Sequence, residues 1–142
     1  MATIQLEIVS PDKVVYSKDI DMLIVRSTAG ELGILPNHAP MVAGLVPHAM
    51  RVKVDGGEEL IAVGGGFMEV QPKKISVLAS AAEQPVDIDV NRAKEAYARA
   101  KARVEAVKNG TSTQEKDIDL ARAEASLKRA AARLQVTGNI IE

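Results

Sequence analysis

The sequence contains no cysteine. That excludes disulfides, thiolate metal sites and a cysteine nucleophile, and it fits a reducing compartment. Tryptophan is absent too, and one Phe and two Tyr bring the aromatic share to only 2% of 142 residues. A core must therefore be built from Val, Ile, Leu, Ala and Met. Histidine occurs twice, as His38 and His48. Neither shows a ligand spacing, so no metal site is expected. His38, between two prolines, is expected to be a satisfied structural residue, and His48 a surface residue at a strand edge. No basic patch is interleaved with aromatics, which argues against nucleic acid. No apolar run approaches the ~20 residues needed to cross a bilayer, and no signal-peptide-like stretch is visible. Any membrane association is expected to run through a partner. No nucleophile–base–acid arrangement stands out, so no catalytic residue is predicted.

What remains is a composition of 46% hydrophobic and 26% charged residues, ordinary for a globular protein. The net charge of −1 divides unevenly, −3 over residues 1–86 and +2 over 87–142. Up to about Ser80 the apolar residues alternate. Ile4, Leu6 and Ile8 share one face, as do Met50, Val52 and Val54. Asp21 to Arg26 predicts a strand buried on both faces near its middle. Ser10-Pro11-Asp12-Lys13, Asp55-Gly56-Gly57 and Gln71-Pro72-Lys73-Lys74 are turn signals, the second of the kind that needs positive φ. Many short strands at even spacing predict a sandwich or flattened barrel. Gly64-Gly65-Gly66 lies between two of them and predicts a bulge or a close backbone approach. It is no phosphate loop, because no helix and no Lys-Ser/Thr pair follows.

The period changes after Pro85. Ala93, Ala96 with Tyr97, Ala100, Val104 and Val107 recur at helical spacing. Asp87 or Asp89 can cap this first helix, and Asn109-Gly110 stops it. Ser112 and Glu115 fit a capping box for a second helix, from about Thr113 to Val136. Leu120, Leu127 and Leu134 are spaced by seven, with Ile118, Ala121, Ala125 and Ala132 near the same stripe. Thr137 to Glu142 is expected to fray. Asp87–Ala93 is echoed thirty residues later by Asp117–Ala123, each copy read as opening a helix. The predicted fold is α+β in two parts. An all-β sandwich of about ten strands spans residues 1–84, and an antiparallel two-helix hairpin spans 85–142. The hairpin's facing residues are mostly alanines. At roughly 25 cal/mol per Å² of apolar area, an alanine contributes far less than a leucine at the same site. Such an arm is held weakly and can be opened or docked by a partner or ligand.

Glu83, Asp89, Arg92 and Arg99 cluster around the β-to-helix junction. Arg92 and Arg99 are seven apart, and Arg129 and Arg133 are four apart. A closed hairpin would let the two pairs converge. Converging guanidiniums suit a polyphosphate, while Asp89 or Glu83 would accept from a base or ribose or hold an arginine. The plainer reading is solvated arginines, with Arg92 and Arg99 paired to Glu95.

The run Gly30-Glu31-Leu32-Gly33-Ile34-Leu35-Pro36-Asn37-His38-Ala39-Pro40 is too apolar for a solvated loop and too rich in breakers for a long element. By itself it predicts a buried β-turn-β connection, with Leu32, Ile34 and Leu35 seeking burial. Together with Gly64–Val70, Ala81-Ala82-Glu83 and Asp87–Ala93, in that order and spacing, it resembles the epsilon subunit of F-type ATP synthases of the bacterial type. The resemblance runs from about residue 2 to about residue 134. It implies a non-catalytic subunit of the central rotor stalk. Its sandwich would contact the gamma subunit and the c-ring. Its hairpin would fold on the sandwich or extend into the catalytic head, among the beta and alpha subunits. Extension blocks ATP hydrolysis in such proteins, with Lys128, Arg129 and Arg133 as the residues expected to meet an acidic segment of beta.

In several bacterial members ATP, as a regulatory ligand with or without Mg²⁺, stabilises the folded hairpin. Their motif Ile/Leu-Asp-x-x-Arg-Ala is present as Ile88-Asp89-Val90-Asn91-Arg92-Ala93. The implied ATP-binding residues are Glu83, Ile88, Asp89, Arg92, Ala93, Arg99, Arg129 and Arg133. The last two align only across a longer inter-helix connection around Lys108 to Gln114. The resemblance places the chain peripherally on the cytoplasmic face of the bacterial membrane. Two alternatives stay open: a structural stalk subunit without nucleotide regulation, and a free-standing nucleotide-sensing module.

Overall fold

The computed structural model describes residues 2–109 and 114–139, with side-chain surroundings over 2–109 and 119–139. Ten strands come first: β1 (Ile4–Val9), β2 (Val14–Ile20), β3 (Met22–Ser27), β4 (Gly30–Ile34), β5 (Met41–Leu45), β6 (His48–Val54), β7 (Gly57–Val63), β8 (Gly66–Gln71), β9 (Lys74–Ala79) and β10 (Ala82–Glu83). A 3-10 turn at Pro85–Asp87 leads into α1 (Val90–Lys108), followed by α2 (Gln114–Val136). The strand order is β10-β7-β6-β3-β5-β8-β9-β1-β2, with β4 paired to β3. Every pairing is antiparallel except β1 with β9. The two-part α+β organisation read from the periodicity is the organisation observed.

Alternation decides the strands' inner faces. Ile4, Leu6 and Ile8 on β1, Met50, Val52 and Val54 on β6, and Met68 and Val70 on β8 all enter one aliphatic core. Of the aromatics, Tyr16 is buried, whereas Phe67 is exposed. The β6–β7 hairpin turns on Asp55 and Gly56, both at positive φ, with Val54 opposite Gly57. This is the primed turn whose twist matches the strands it joins. At Gly66, whose φ is +145°, a Cβ would sit 2.2 Å from the Leu78 carbonyl oxygen, so the close backbone approach is real.

Two runs depart from simple alternation, for one reason. Ile61, Ala62 and Val63 are buried consecutively because α2 covers the outer face of β7, where Ala62 meets Ala132 and Val136. Ile24, expected to be fully covered, is half-buried and lines the cleft between the sheet and α2. The Gly30–Pro40 run is a β3–β4 hairpin partner followed by an open turn. Ile34 is fully buried, but Leu35 is 55% exposed, against expectation. Asn37 there sits at φ 65° and donates its backbone N–H to the Pro72 carbonyl, which aims Leu35 outward.

α1 is capped by Asp89, whose carboxylate accepts from the backbone N–H of Arg92 at 3.1 Å. Its buried residues are Ala93, Ala100 and Val104. α2 lies between α1 and the sheet. It buries Ala123, Ala130 and Leu134 on one stripe and Ala132 and Val136 on the next. The leucine-based stripe is thus only partly correct. Leu120, Leu127 and Ala125 are half-buried and Ala121 is exposed. The side chain of Ile118, the capping box and Gly110 lie outside the described residues. The second copy of the internal echo falls inside α2 and does not open it. The C-terminal end does not fray at once. Gly138 at φ 79° donates to Gln135, and Asn139 donates to Leu134, the paired bonds of a Schellman cap.

Candidate functional site

The β-to-helix junction gathers side chains from four elements. Glu83 comes from β10, Asp87 and Ile88 from the 3-10 turn and its end, Arg92, Ala93, Ala96 and Arg99 from α1, and Arg133 from α2. Together with Asp89 they line a cavity of about 280 Å³. A second cavity of about 300 Å³ follows the groove between the helices, walled by Arg99, Arg103, Arg129 and Arg133, with Ser126. Arg99 and Arg133 line both, so the two share a wall.

The local sequence explains the arrangement. A heptad separation puts Arg92 and Arg99 on the same face of α1, and i,i+4 spacing does the same for Arg129 and Arg133 on α2. Small residues make the floor: Ala93, Ala96, Ala100 and Ala130 let the helices approach and leave the arginines standing around open space. Arg133 Nε donates to Glu83 Oε1 at 2.5 Å, tying α2 to the sandwich. Arg129 Nη2 donates to Ser126 Oγ at 2.9 Å. Of the two roles open to the acids, Glu83 takes that of holding an arginine, and Asp89 serves as helix cap. Among the described residues neither Arg92 nor Arg99 closes the ion pair with Glu95 that the plainer reading expected. Five guanidiniums thus surround a groove with three nearby carboxylates, Glu83, Asp87 and Asp89. That surplus of cations in a groove lined with fork-shaped donors is suited to an anion of several phosphates.

All eight residues assigned to nucleotide by the resemblance lie at these two cavities. The reading missed Arg103, Asp87 and Ser126. Arg103 was legible, since it stands four residues after Arg99 on one helical face. Ser126 was not, because its role depends on where Arg129 turns. Lys128 is placed apart from Arg129 and Arg133. It is exposed and lines a different cleft, of about 480 Å³, between α2 and the sheet. His48 lines that same cleft, contrary to its expected place on the surface. It shares the inward parity of Met50, Val52 and Val54, and its Nε2 is buried without a hydrogen-bond partner among the described residues. Burial, and then the Arg26 charge, lower its pKa, against the opposing pull of the Val46 carbonyl that its Nδ1 meets at 2.6 Å. His38 Nδ1 lies 2.7 Å from the Ala39 carbonyl, a local contact. Among the described residues no group of three or more His, Asp or Glu side chains is gathered to hold a metal ion.

Comparison with known proteins adds the family. The model of the ATP synthase delta/epsilon chain beta-sandwich domain matches residues 3–85, and that of the delta/epsilon chain long alpha-helix domain matches residues 87–138. The chain belongs to the ATP synthase delta/epsilon chain family. Relatives in this family include the ATP synthase epsilon chain of Alkalihalophilus pseudofirmus, 50% identical over 108 residues, which covers 76% of this chain and 81% of that one. The epsilon chain of Bacillus subtilis is 47% identical over 111 residues, covering 78% and 84%. Among solved structures, a chain of the Euglena gracilis mitochondrial ATP synthase (OSCP/F1/c-ring, rotational state 1) superposes with a TM-score of 0.74 at 20% identity, covering 95% of this chain and 81% of that one. A chain of the Tetrahymena thermophila mitochondrial ATP synthase central stalk and c-ring gives 0.59 at 10% identity, covering 96% and 97%. At those identities the structures speak for the shared fold. The family membership and the sequence resemblance agree.

Proposed function

We propose that this chain is a non-catalytic rotor subunit of a proton- or sodium-translocating F-type ATP synthase, whose hairpin restrains ATP hydrolysis when extended and is held folded by ATP. The observation that carries the regulatory part is the groove itself. Arg92 and Arg99 on α1 share it with Arg129 and Arg133 on α2 only while the hairpin is closed. Like charges there oppose closure, and a bound polyphosphate would offset that repulsion and bridge the helices. A ligand that binds the closed form alone stabilises it by linkage. Opening would free Arg133 from Glu83, leave Arg129 with Ser126 on the same helix, and let both arginines join Lys128 in facing an acidic segment of the catalytic beta subunit.

The sandwich supplies a surface for the gamma subunit. Phe67 and Leu78 are direct cross-strand neighbours, each 62% exposed, and Val42 on the adjoining strand is 69% exposed. Such a cluster of large apolar side chains on one sheet face is the kind of patch a partner covers. Among the described residues no helix is long and apolar enough to cross a membrane. The proposed location is therefore peripheral, on the cytoplasmic face of the bacterial membrane and reached through gamma and the c-ring.

The test is calorimetry of the full chain with ATP, with and without Mg²⁺, paired with copurification with gamma. Saturable ATP binding together with gamma capture supports the reading. Gamma capture without ATP binding favours a second reading, a purely structural stalk subunit. One observation favours that alternative: Arg133 and Arg129 already have partners within the chain. ATP binding without gamma capture would leave a free-standing nucleotide sensor.

A further inference from the structure

Gly64 lies in the connection between β7 and β8, directly beneath α2. Its two neighbours need glycine for backbone reasons, with φ of +108° at Gly65 and +145° at Gly66. Gly64 does not, since its backbone lies outside the left-handed region. What surrounds it is crowded. A Cβ there would lie 3.4 Å from Arg129 Cδ, 3.3 Å from Ala81 Cβ and 3.4 Å from Ser80 Oγ. The floor is stiff: Gly64 N donates to the Ala81 carbonyl at 2.8 Å, and Ser80 donates to the Gly65 carbonyl through N at 2.9 Å and Oγ at 3.2 Å. A void of only about 10 Å³ remains between this floor, Ala62 and the stems of Arg129 and Arg133. The seat is therefore already filled by arginine methylenes, which pack as apolar surface while the charged head stays outside.

We infer that Gly64 is a positioning residue for α2. Its missing side chain opens a notch into which the stem of Arg129 drops. The notch fixes the register of α2 on the sheet, so that the heads of Arg129 and Arg133 stand in the groove shared with Arg99. The consequence for nucleotide rests on the function proposed above. The seating of the helix does not.

The deciding experiment is hydrogen exchange of the full chain, without nucleotide, on wild type, Gly64→Val, Arg129→Ala and the double variant. Local opening sets these rates. Gly64→Val is expected to speed exchange over residues 126–136 roughly tenfold while the sandwich amides keep theirs. In the double variant the two effects are expected to fall short of their product by about threefold or more, because the added methyls occupy the space that Arg129 has left. Unchanged exchange in Gly64→Val overturns the inference. So does simple multiplication of the two effects, which would place the crowding at Ala81 and Ser80. If Gly64→Val loses protection across the sandwich, Gly64→Ala replaces it, with a smaller acceleration of about twofold to threefold and the same coupling to Arg129. Calorimetry with ATP on the same proteins separates the two layers. Wild type that binds no ATP removes the nucleotide reading and leaves the exchange result to decide the seat. Where ATP binds, Gly64→Val is expected to weaken it only as far as the closed fraction falls, by less than the factor by which exchange accelerates.

Discussion

The sandwich and the hairpin are built from different materials. The sandwich core holds Ile4, Leu6, Ile8, Ile20, Leu23, Ile34, Met50, Ile61, Met68 and Ile75, all essentially free of solvent contact. The hairpin meets the sheet through Ala132 and Val136 on Ala62, with Ala49, Leu60 and Ile88 at the margin. Its two helices meet through Ala93, Ala100, Val104, Ala123 and Ala130. Large aliphatic side chains bury far more apolar area than alanines, at roughly 25 cal/mol per Å². The chain thus joins a unit held by its own core to an arm held by little apolar area and, among the described residues, one anchoring ion pair, Arg133 with Glu83, against the repulsion of a groove of like charges. The contrast teaches where control resides. A ligand or partner worth a few kcal/mol can move the arm and leave the sandwich untouched.

The largest effect that would sharpen this contrast is expected in the core. Leu6→Ala should cost about 2–5 kcal/mol of global stability, read by denaturant unfolding, because the site cannot collapse around the lost atoms. A cost near zero would mean the sandwich is no firmer than the arm. Next comes the groove. Arg92→Ala should weaken ATP binding by more than about tenfold, or ~1.4 kcal/mol, with the sandwich's thermal midpoint unchanged. Equal affinity in variant and wild type removes Arg92 from the site. Smaller again is the docking contact. Val136→Ala should loosen α2 by about 1 kcal/mol, visible as faster exchange in the helices but not in β1 or β9. Simultaneous loss of sandwich protection would show that the two regions unfold as one.

The smallest expected effect is one of pH. Since burial lowers the pKa of His48, the unfolded chain binds a proton that the folded chain refuses. The stability contributed by the neutral ring is complete above the ordinary histidine value of about 6.5 and is lost as pH falls from there toward the lowered pKa. His48→Gln should flatten that part of the stability–pH curve. An unchanged slope would assign it to other groups.

How much of this was legible along the chain depends on how local each cause is. Strand faces follow from a period of two, and the β6–β7 turn from Asp55-Gly56 needing positive φ. The α1 cap follows from one aspartate beside one backbone N–H. None of these needs a distant neighbour: the alternating faces of β1 and β6 and the turn were read as observed, and the cap was narrowed to Asp87 or Asp89, of which Asp89 serves. The arginine pairs on each helix were legible for the same reason. Their meeting was read only on the condition of a closed hairpin, because a sequence with weak interhelical packing is compatible with more than one placement, and the fold meets that condition.

The failures are instructive in the same way. Alanines occur around much of α2, at 121, 123, 125, 130, 131 and 132, so periodicity cannot choose the face that docks. Contact with Ala62 and with α1 chooses it. His48 was placed at the surface as a strand-edge residue, whereas strand parity turns it inward. Leu35 was placed inside because it is apolar, whereas Asn37 and Pro72 hold its turn open.

Local chemistry along the chain is enough to specify which residues make strands, turns and caps, since each depends on atoms only a few bonds away. Which side of an alanine-rich helix is hidden, which arginines share a groove and which glycine must lack a side chain are settled only when separate elements meet. Those outcomes depend on small differences in buried area and charge between surfaces far apart in sequence.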